Sequence, residues 1–336
     1  MNSNDEEEEI PDFQDTPEMA NLEGNRERPP KIPVFSSSPK YMWIPIVVCI
    51  VLSGLLASIF NVFNISYEIV PSEYGPVANL IDALIFIGIG AASAFLLIKL
   101  IRRKGINVLE KVMMLAFLVL GTFIIYLYGE YLLYLVDQIY PLDNIISYFW
   151  LAGSFGISAL LVYLYASPKF GDRAHNYVVL IFGVLIGSYL PIIIGTWTSI
   201  FILIGFSLYD IYSVKRGPIK EMMDQMAPEG DEEDLESLDW SDITLDIGIG
   251  DLAFYSMLTS ISLISKEWGG VLLGELTGNW FGYIFPFIMT TAGVLIGAFI
   301  TFEFVKKAKI LPGLPMSIFI GIGMLSLSIL IGWLVF

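Results

Sequence analysis

The sequence predicts an all-α membrane protein with nine transmembrane helices. Hydrophobic residues make up 55% of its 336 positions, and the mean hydropathy is +0.70. Apolar runs of about 20 residues, enough to cross a hydrocarbon core of about 30 Å as a helix, recur from Tyr41 to Phe336. The acids lie elsewhere: 21 of the 34 fall in the tail 1–40 and the linker 215–246, so the net charge of −16 does not describe the membrane part. Both polar stretches bury too little apolar surface to offset the entropy of ordering, and both read as disordered. Their acidity points away from nucleic acid as a partner.

The nine segments run 41–63, 77–98, 112–135, 145–166, 175–190, 192–213, 247–265, 280–304 and 312–335. No signal-peptide core precedes the first, so it is expected to remain in the mature chain. Segments one to five occupy 41–190, and segments six to nine occupy 191–336. The fifth and sixth need an argument, because Val178–Leu208 is one apolar stretch of 31 residues. As a single helix it would be about 46 Å long, too long for the core. Lys169 and Arg173 precede it and Lys215 and Arg216 follow it, which places both ends on one side. A hairpin turning near Ser188–Pro191 is therefore expected. Beyond residue 265, Lys266, Glu267, Glu275 and Asn279 interrupt the hydrophobicity and mark an external loop.

Orientation follows from the cations. With nine segments, 17 of the 18 basic residues fall on one side and only Lys266 on the other. The N-terminus is expected in the cytoplasm and the C-terminus outside, in the cell membrane if the source is prokaryotic. Gly183/Gly187 and Gly293/Gly297 have the four-residue spacing that lets membrane helices approach closely.

Asp210 and Asp251 stand out chemically. Each lies five residues on the membrane side of the polar linker, counted from Lys215 and Asp246. At about 1.5 Å per residue this puts each carboxylate about 7–8 Å inside the membrane end of its segment, on the same side. An intramembrane carboxylate costs several kcal/mol, so two at matching depth indicate function. In a site of low dielectric both cannot ionise cheaply, and they hold one proton between them. That supplies a base to activate water and an acid to protonate a peptide carbonyl. Because the pair titrates as a unit, neither aspartate is assigned either role.

The motifs around these residues resemble those of a known family. Tyr209-Asp210 followed by Gly217-Pro218 resembles the YD motif of presenilins; Gly248-Ile249-Gly250-Asp251, continuing Phe254-Tyr255-Ser256, resembles their GxGD motif. Pro312-Gly313-Leu314-Pro315 resembles their PALP motif, with glycine in place of alanine. The motifs fall in segments six, seven and nine of nine. They are shared with signal peptide peptidases, whose orientation is opposite, and the cation count favours presenilin. The chain is similar to a compact microbial, archaeal-like member, with a shorter linker than animal presenilins.

The resemblance implies a presenilin-like fold and an intramembrane aspartyl endopeptidase of the GxGD type, with Asp210 and Asp251 catalytic. It implies single-span transmembrane substrates in the lipid bilayer and no metal or cofactor, and sets no oligomeric state. Tyr209, Gly248, Ile249, Gly250, Pro312, Gly313, Leu314 and Pro315 are the residues it marks as binding substrate or shaping the site. The residues also admit plainer roles. Gly248 and Gly250 either permit helix packing or leave room for a substrate backbone beside Asp251. Pro312 and Pro315 start a helix or shape the site, and Tyr209 anchors at the interface or does the same. A substrate must unwind to be cut, and an extended segment can then pair with backbone near the linker.

Other readings are weaker. Paired intramembrane aspartates also serve proton- or cation-coupled transporters and channels, but no counterpart of GIGD or PGLP occurs in the first five segments. The presence of both aspartates opposes an inactive scaffold. Asp82, Glu130 and Glu303 are read as interfacial or paired. The single cysteine, Cys49, precludes an intrachain disulfide, and the single histidine, His175, precludes a histidine-rich metal site and a zinc protease of the HExxH type. Ser154, in Gly153-Ser154-Phe155-Gly156, is rejected as a serine nucleophile.

Overall fold

The computed structural model describes residues 34–38, 41–61, 76–104, 107–141, 143, 145–216, 245–305 and 313–335. In chain order these form strand β1 (Val34–Ser37) and helices α1 (Trp43–Asn61), α2 (Pro76–Lys104), α3 (Asn107–Asp137), α4 (Ile145–Ala166), α5 (Gly171–Ile194) and α6 (Thr196–Arg216). Strand β2 (Leu245–Gly248), α7 (Ile249–Ile264), the short α8 (Gly270–Thr277), α9 (Trp280–Val305) and α10 (Leu314–Val335) follow. The helices other than α8 overlap the predicted segments, with the ends of α5 and α6 displaced from those expected. Six of them, α2 to α5, α9 and α10, are long and apolar enough to cross a membrane; α1 and α7 are apolar over shorter lengths. The chain is an integral membrane protein with several spans.

Helix α7 is the hub. It packs against α1, α5, α6, α9 and α10, and Leu252, Ala253 and every residue from Tyr255 to Ser262 are buried. A helix enclosed on all sides needs small residues, and Ser256, Thr259, Ser260 and Ser262 supply them. Three of their hydroxyls find acceptors nearby: Thr259 donates to the Tyr255 carbonyl at 3.0 Å, Ser262 to that of Thr259 at 2.7 Å and Ser260 to the Ser53 hydroxyl at 3.4 Å.

Both small-residue pairs lie in helix contacts, as their spacing predicts. On α5, a Cβ on Gly183 would stand 3.1 Å from that of Leu252, and one on Gly187 would overlap Ser256 and come within 2.8 Å of the Ala253 carbonyl. On α9, Gly293 and Gly297 face the backbone of α10 at Gly321 and Ser317. Gly187→Ala should therefore lower the stability of the detergent-solubilised protein by about 1–3 kcal/mol, the usual cost of overpacking. Gly153→Ala, in open space on α4, should leave the thermal unfolding midpoint within a degree or two; equal midpoints for both would refute the contact.

Three expectations need correction. The α5–α6 turn is not at Ser188–Pro191: α5 continues through Pro191 to Ile194 and breaks at Gly195, with φ 76°. Ser188 bonds within the helix, to the Val184 carbonyl at 2.7 Å, and the break falls at the residue for which a positive φ is cheap. The stretch after residue 265 is not all loop, because α8 packs on α9. Its Gly270 and Gly274 meet Tyr283, where no Cβ would fit.

Finally, the two polar stretches are not without structure throughout. Val34–Ser37 of the tail and Leu245–Gly248 at the linker's end form an antiparallel pair, with Val34 opposite Gly248 and Ser36 opposite Asp246. Phe35 packs against the core, and Ile247 is buried. The remainder of both stretches, 1–33 and 217–244, lies outside the described residues.

Candidate active site

The far ends of α6 and α7 are tied together. Thr196 donates to Ser265 at 2.9 Å, and Trp197 stacks on Trp268 with centroids 4.9 Å apart. Asp210 lies 14 residues beyond Thr196 and Asp251 lies 14 residues before Ser265. At about 1.5 Å per residue each aspartate stands about 21 Å from this tie, so the two share one level. A second tie lies about one turn nearer the tie, where Phe206 of α6 stacks on Phe254 of α7 at 5.3 Å.

The start of α10 completes the arrangement. The Leu314 N–H donates to Asp210 Oδ2 at 3.4 Å. A Cβ built on Gly313 would stand 3.4 Å from Asp251 Oδ2. The dipeptide Gly313-Leu314 thus lies beside both carboxylates, bonded to Asp210 through the Leu314 N–H and adjacent to Asp251 at Gly313. Tyr255, one turn below Asp251, is 4% exposed and donates to the Gly313 carbonyl at 3.2 Å. Residues four apart share a helix face, so Tyr255 holds in place the strip that Asp251 faces. It was readable from that spacing as a site residue, though only as part of the extended motif.

Asp251 occupies the first turn of α7, where the helix dipole favours negative charge. Gly248, extended at φ −64° and ψ 144°, leads into that turn, and a Cβ there would lie 3.7 Å from Asp251 Oδ2. Gly250 is exposed, with open space at its Cβ position, and so does not serve helix packing. Ile249 packs against the core. Leu314 and Pro315 are buried in the first turn of α10, and Tyr209 is half-buried beside Asp210. Pro312 lies outside the described residues.

The remaining candidates are elsewhere. Asp82 is buried on α2, three residues from Asn79, which accepts a hydrogen bond from Thr198 at 3.1 Å. Thr198 is 12 residues from Asp210 along α6, about 18 Å. Glu130 accepts from Ser147 at 3.4 Å, between α3 and α4. The Ser154 hydroxyl is bonded to the Trp150 carbonyl of its own helix at 2.8 Å, while His175 stacks on Tyr165.

This assembly can be set beside known proteins. In fold the chain is similar to a solved structure described as a presenilin family intramembrane aspartate protease, with a TM-score of 0.54 and 18% identity over 87% of this chain and 97% of that one. The fold is presenilin-like. Neither protein-family models nor curated proteins gave a match.

In sequence Gly313 stands where the PALP motif, which residues 312–315 resemble, has alanine. The space at its Cβ is ordinary contact distance from Asp251, and its φ is not positive. Gly313→Ala should therefore be accepted, with cleavage within about threefold of wild type and stability raised by about 0.4–1 kcal/mol through the unfolded chain. A large loss of activity, measured on a single-span substrate, would show that the strip has no room for a methyl group.

Proposed function

We propose that this chain is an intramembrane aspartyl endopeptidase of the GxGD type, hydrolysing peptide bonds within single-span membrane proteins. The observation that supports it best is the placement of Gly313-Leu314 against both Asp210 and Asp251. Two carboxylates at one level, with one strip of backbone beside both and open space at Gly250, suit a peptide better than a spherical ion.

In the reaction, the ionised aspartate takes a proton from water as its oxygen adds to the scissile carbonyl carbon. The protonated aspartate gives its proton to the carbonyl oxygen, forming a neutral gem-diol. On collapse the C–N bond breaks, the nitrogen receives a proton from the first aspartate, and the diol returns one to the second. The pair is restored, with neither a metal nor a covalent intermediate.

The nine helices span the membrane in this reading, with the N-terminus in the cytoplasm and both aspartates near that face. Substrates with an external N-terminus are then favoured and are cut near their cytoplasmic ends. The outer edge of β2 supplies backbone for an unwound substrate: among the described residues the sheet has two strands, and a third can add there. The test is reconstitution of the purified protein in liposomes with a single-span substrate in either orientation. Cleavage in one orientation supports the proposal. No cleavage, together with an ion flux that either Asp→Asn substitution abolishes, would replace it with ion-coupled transport.

A further inference from the structure

The strand leading into Asp251 is held by a distant part of the chain. Asn176, near the start of α5, grips Ser36 at both backbone groups: its Oδ1 accepts from the Ser36 N–H at 3.1 Å and its Nδ2 donates to the Ser36 carbonyl at 2.8 Å. An amide side chain bonded this way imitates a neighbouring strand. Because both polar groups of Ser36 turn toward Asn176, Ser36 and Asp246 must be a non-hydrogen-bonded pair, and the ladder bonds run through Phe35–Ile247 and Ser37–Leu245. Such pairs bring side chains close, and the Ser36 hydroxyl donates to Asp246 Oδ1 at 2.5 Å. Strand β1 is thus clamped between Asn176 on one edge and β2 on the other.

The alternation has a second consequence. The polar backbone groups of Asp246 and Gly248, paired with Ser36 and Val34 in register, turn away from β1 toward the outer edge of β2. Gly248 is at once the last residue of β2, the cap of α7 and a neighbour of the Asp251 carboxylate. A two-stranded ribbon alone is marginal in water, so β2 depends on what fixes β1. From these contacts we infer that Asn176 and the segment Val34–Ser37 are positioning elements of the active site: they fix β2, and through Gly248 the place of Asp251 and the edge offered to substrate. This rests on the protease reading. It predicts that a residue on α5, remote in sequence from all three motifs, governs turnover.

The test uses the full-length purified protein, a single-span model substrate, and amide exchange over 245–250. Asn176→Ala is expected to lower kcat at least tenfold with KM changed less than threefold, and to speed exchange of Ile247 and Leu245. In the same background, Ser36→Cys with Asp246→Cys places two thiols at an opposed pair whose spacing suits a disulfide; Cys49 is buried. Oxidation with copper phenanthroline should raise kcat about tenfold over the same chain kept reduced. A merely destabilising role for Asn176 would show as a lowered fraction of folded enzyme rather than a lowered kcat per active site, titrated with a tight-binding inhibitor. The inference is overturned if Asn176→Ala turns over as wild type, or if the cross-linked chain is no faster than the reduced one. If wild type cleaves nothing, the protease reading fails by itself. Exchange then decides the clamp, which is supported if Asn176→Ala loosens 245–250 and refuted if it does not.

Discussion

Asp210→Asn and Asp251→Asn should each abolish cleavage, by at least about 10³-fold, since positioned acid–base groups contribute about 10²–10⁴ and in the proposed mechanism each aspartate serves twice per turnover. Asparagine keeps the shape and can still accept from the Leu314 N–H, so both variants should fold. Each also removes one of two neighbouring carboxylates, and their unfolding midpoints should equal or exceed that of wild type. Combining the two should add little to either, because a pair that shares one proton is already inoperative when one member is lost. Single-turnover assays on purified variants check all three statements. Residual activity of a tenth or more in either single variant would remove that aspartate from the mechanism.

The second large effect concerns one N–H. Leu314 begins α10, a position where proline is accepted because its N–H is outside the helix ladder. Here that N–H has a different acceptor, Asp210 Oδ2. Leu314→Pro removes the donor, and Leu314→Ala removes the same buried side chain but keeps it. Both should lose about 2–5 kcal/mol of stability from the vacated core. Only the proline variant should also lose turnover, by about tenfold or more, since hydrogen bonds to charged groups contribute about 1.5–3 kcal/mol. The comparison is made as kcat per folded molecule. Equal kcat in the two would show that the contact orients nothing.

The helices were legible because lipid imposes one rule, a long apolar run for each crossing, and the aspartates because they break that rule. What stayed hidden followed other physics. The α5–α6 break was expected near Ser188–Pro191, because length and flanking cations demand a hairpin without fixing its residue, but the chain turned at Gly195, where φ is positive. Helix α8 was missed because eight residues flanked by charge have the length of a loop. The resemblance of three motifs placed Gly313 and Leu314 in the site, yet only the structure shows the Leu314 N–H bonded to Asp210 and Gly313 lying beside Asp251. The pairing of Val34–Ser37 with Leu245–Gly248 had no signal at all: four-residue strands in acidic surroundings carry no periodicity, and no local rule names a partner so distant.

That separation bears on how the protein is made. Ser36 and Asp246 are 210 residues apart, and at about 5–20 residues per second the ribosome needs roughly 10–40 s to pass from one to the other. During that interval β1 has left the ribosome and its clamp on α5 follows, while the partner strand does not yet exist. The sheet closes only after six helices have been synthesised, and α10 comes later still. A nascent chain therefore holds Asp210 before Asp251, β2 or the Gly313-Leu314 strip exists, and under the proposed function hydrolytic power would arrive last, sparing the membrane proteins being inserted beside an unfinished chain.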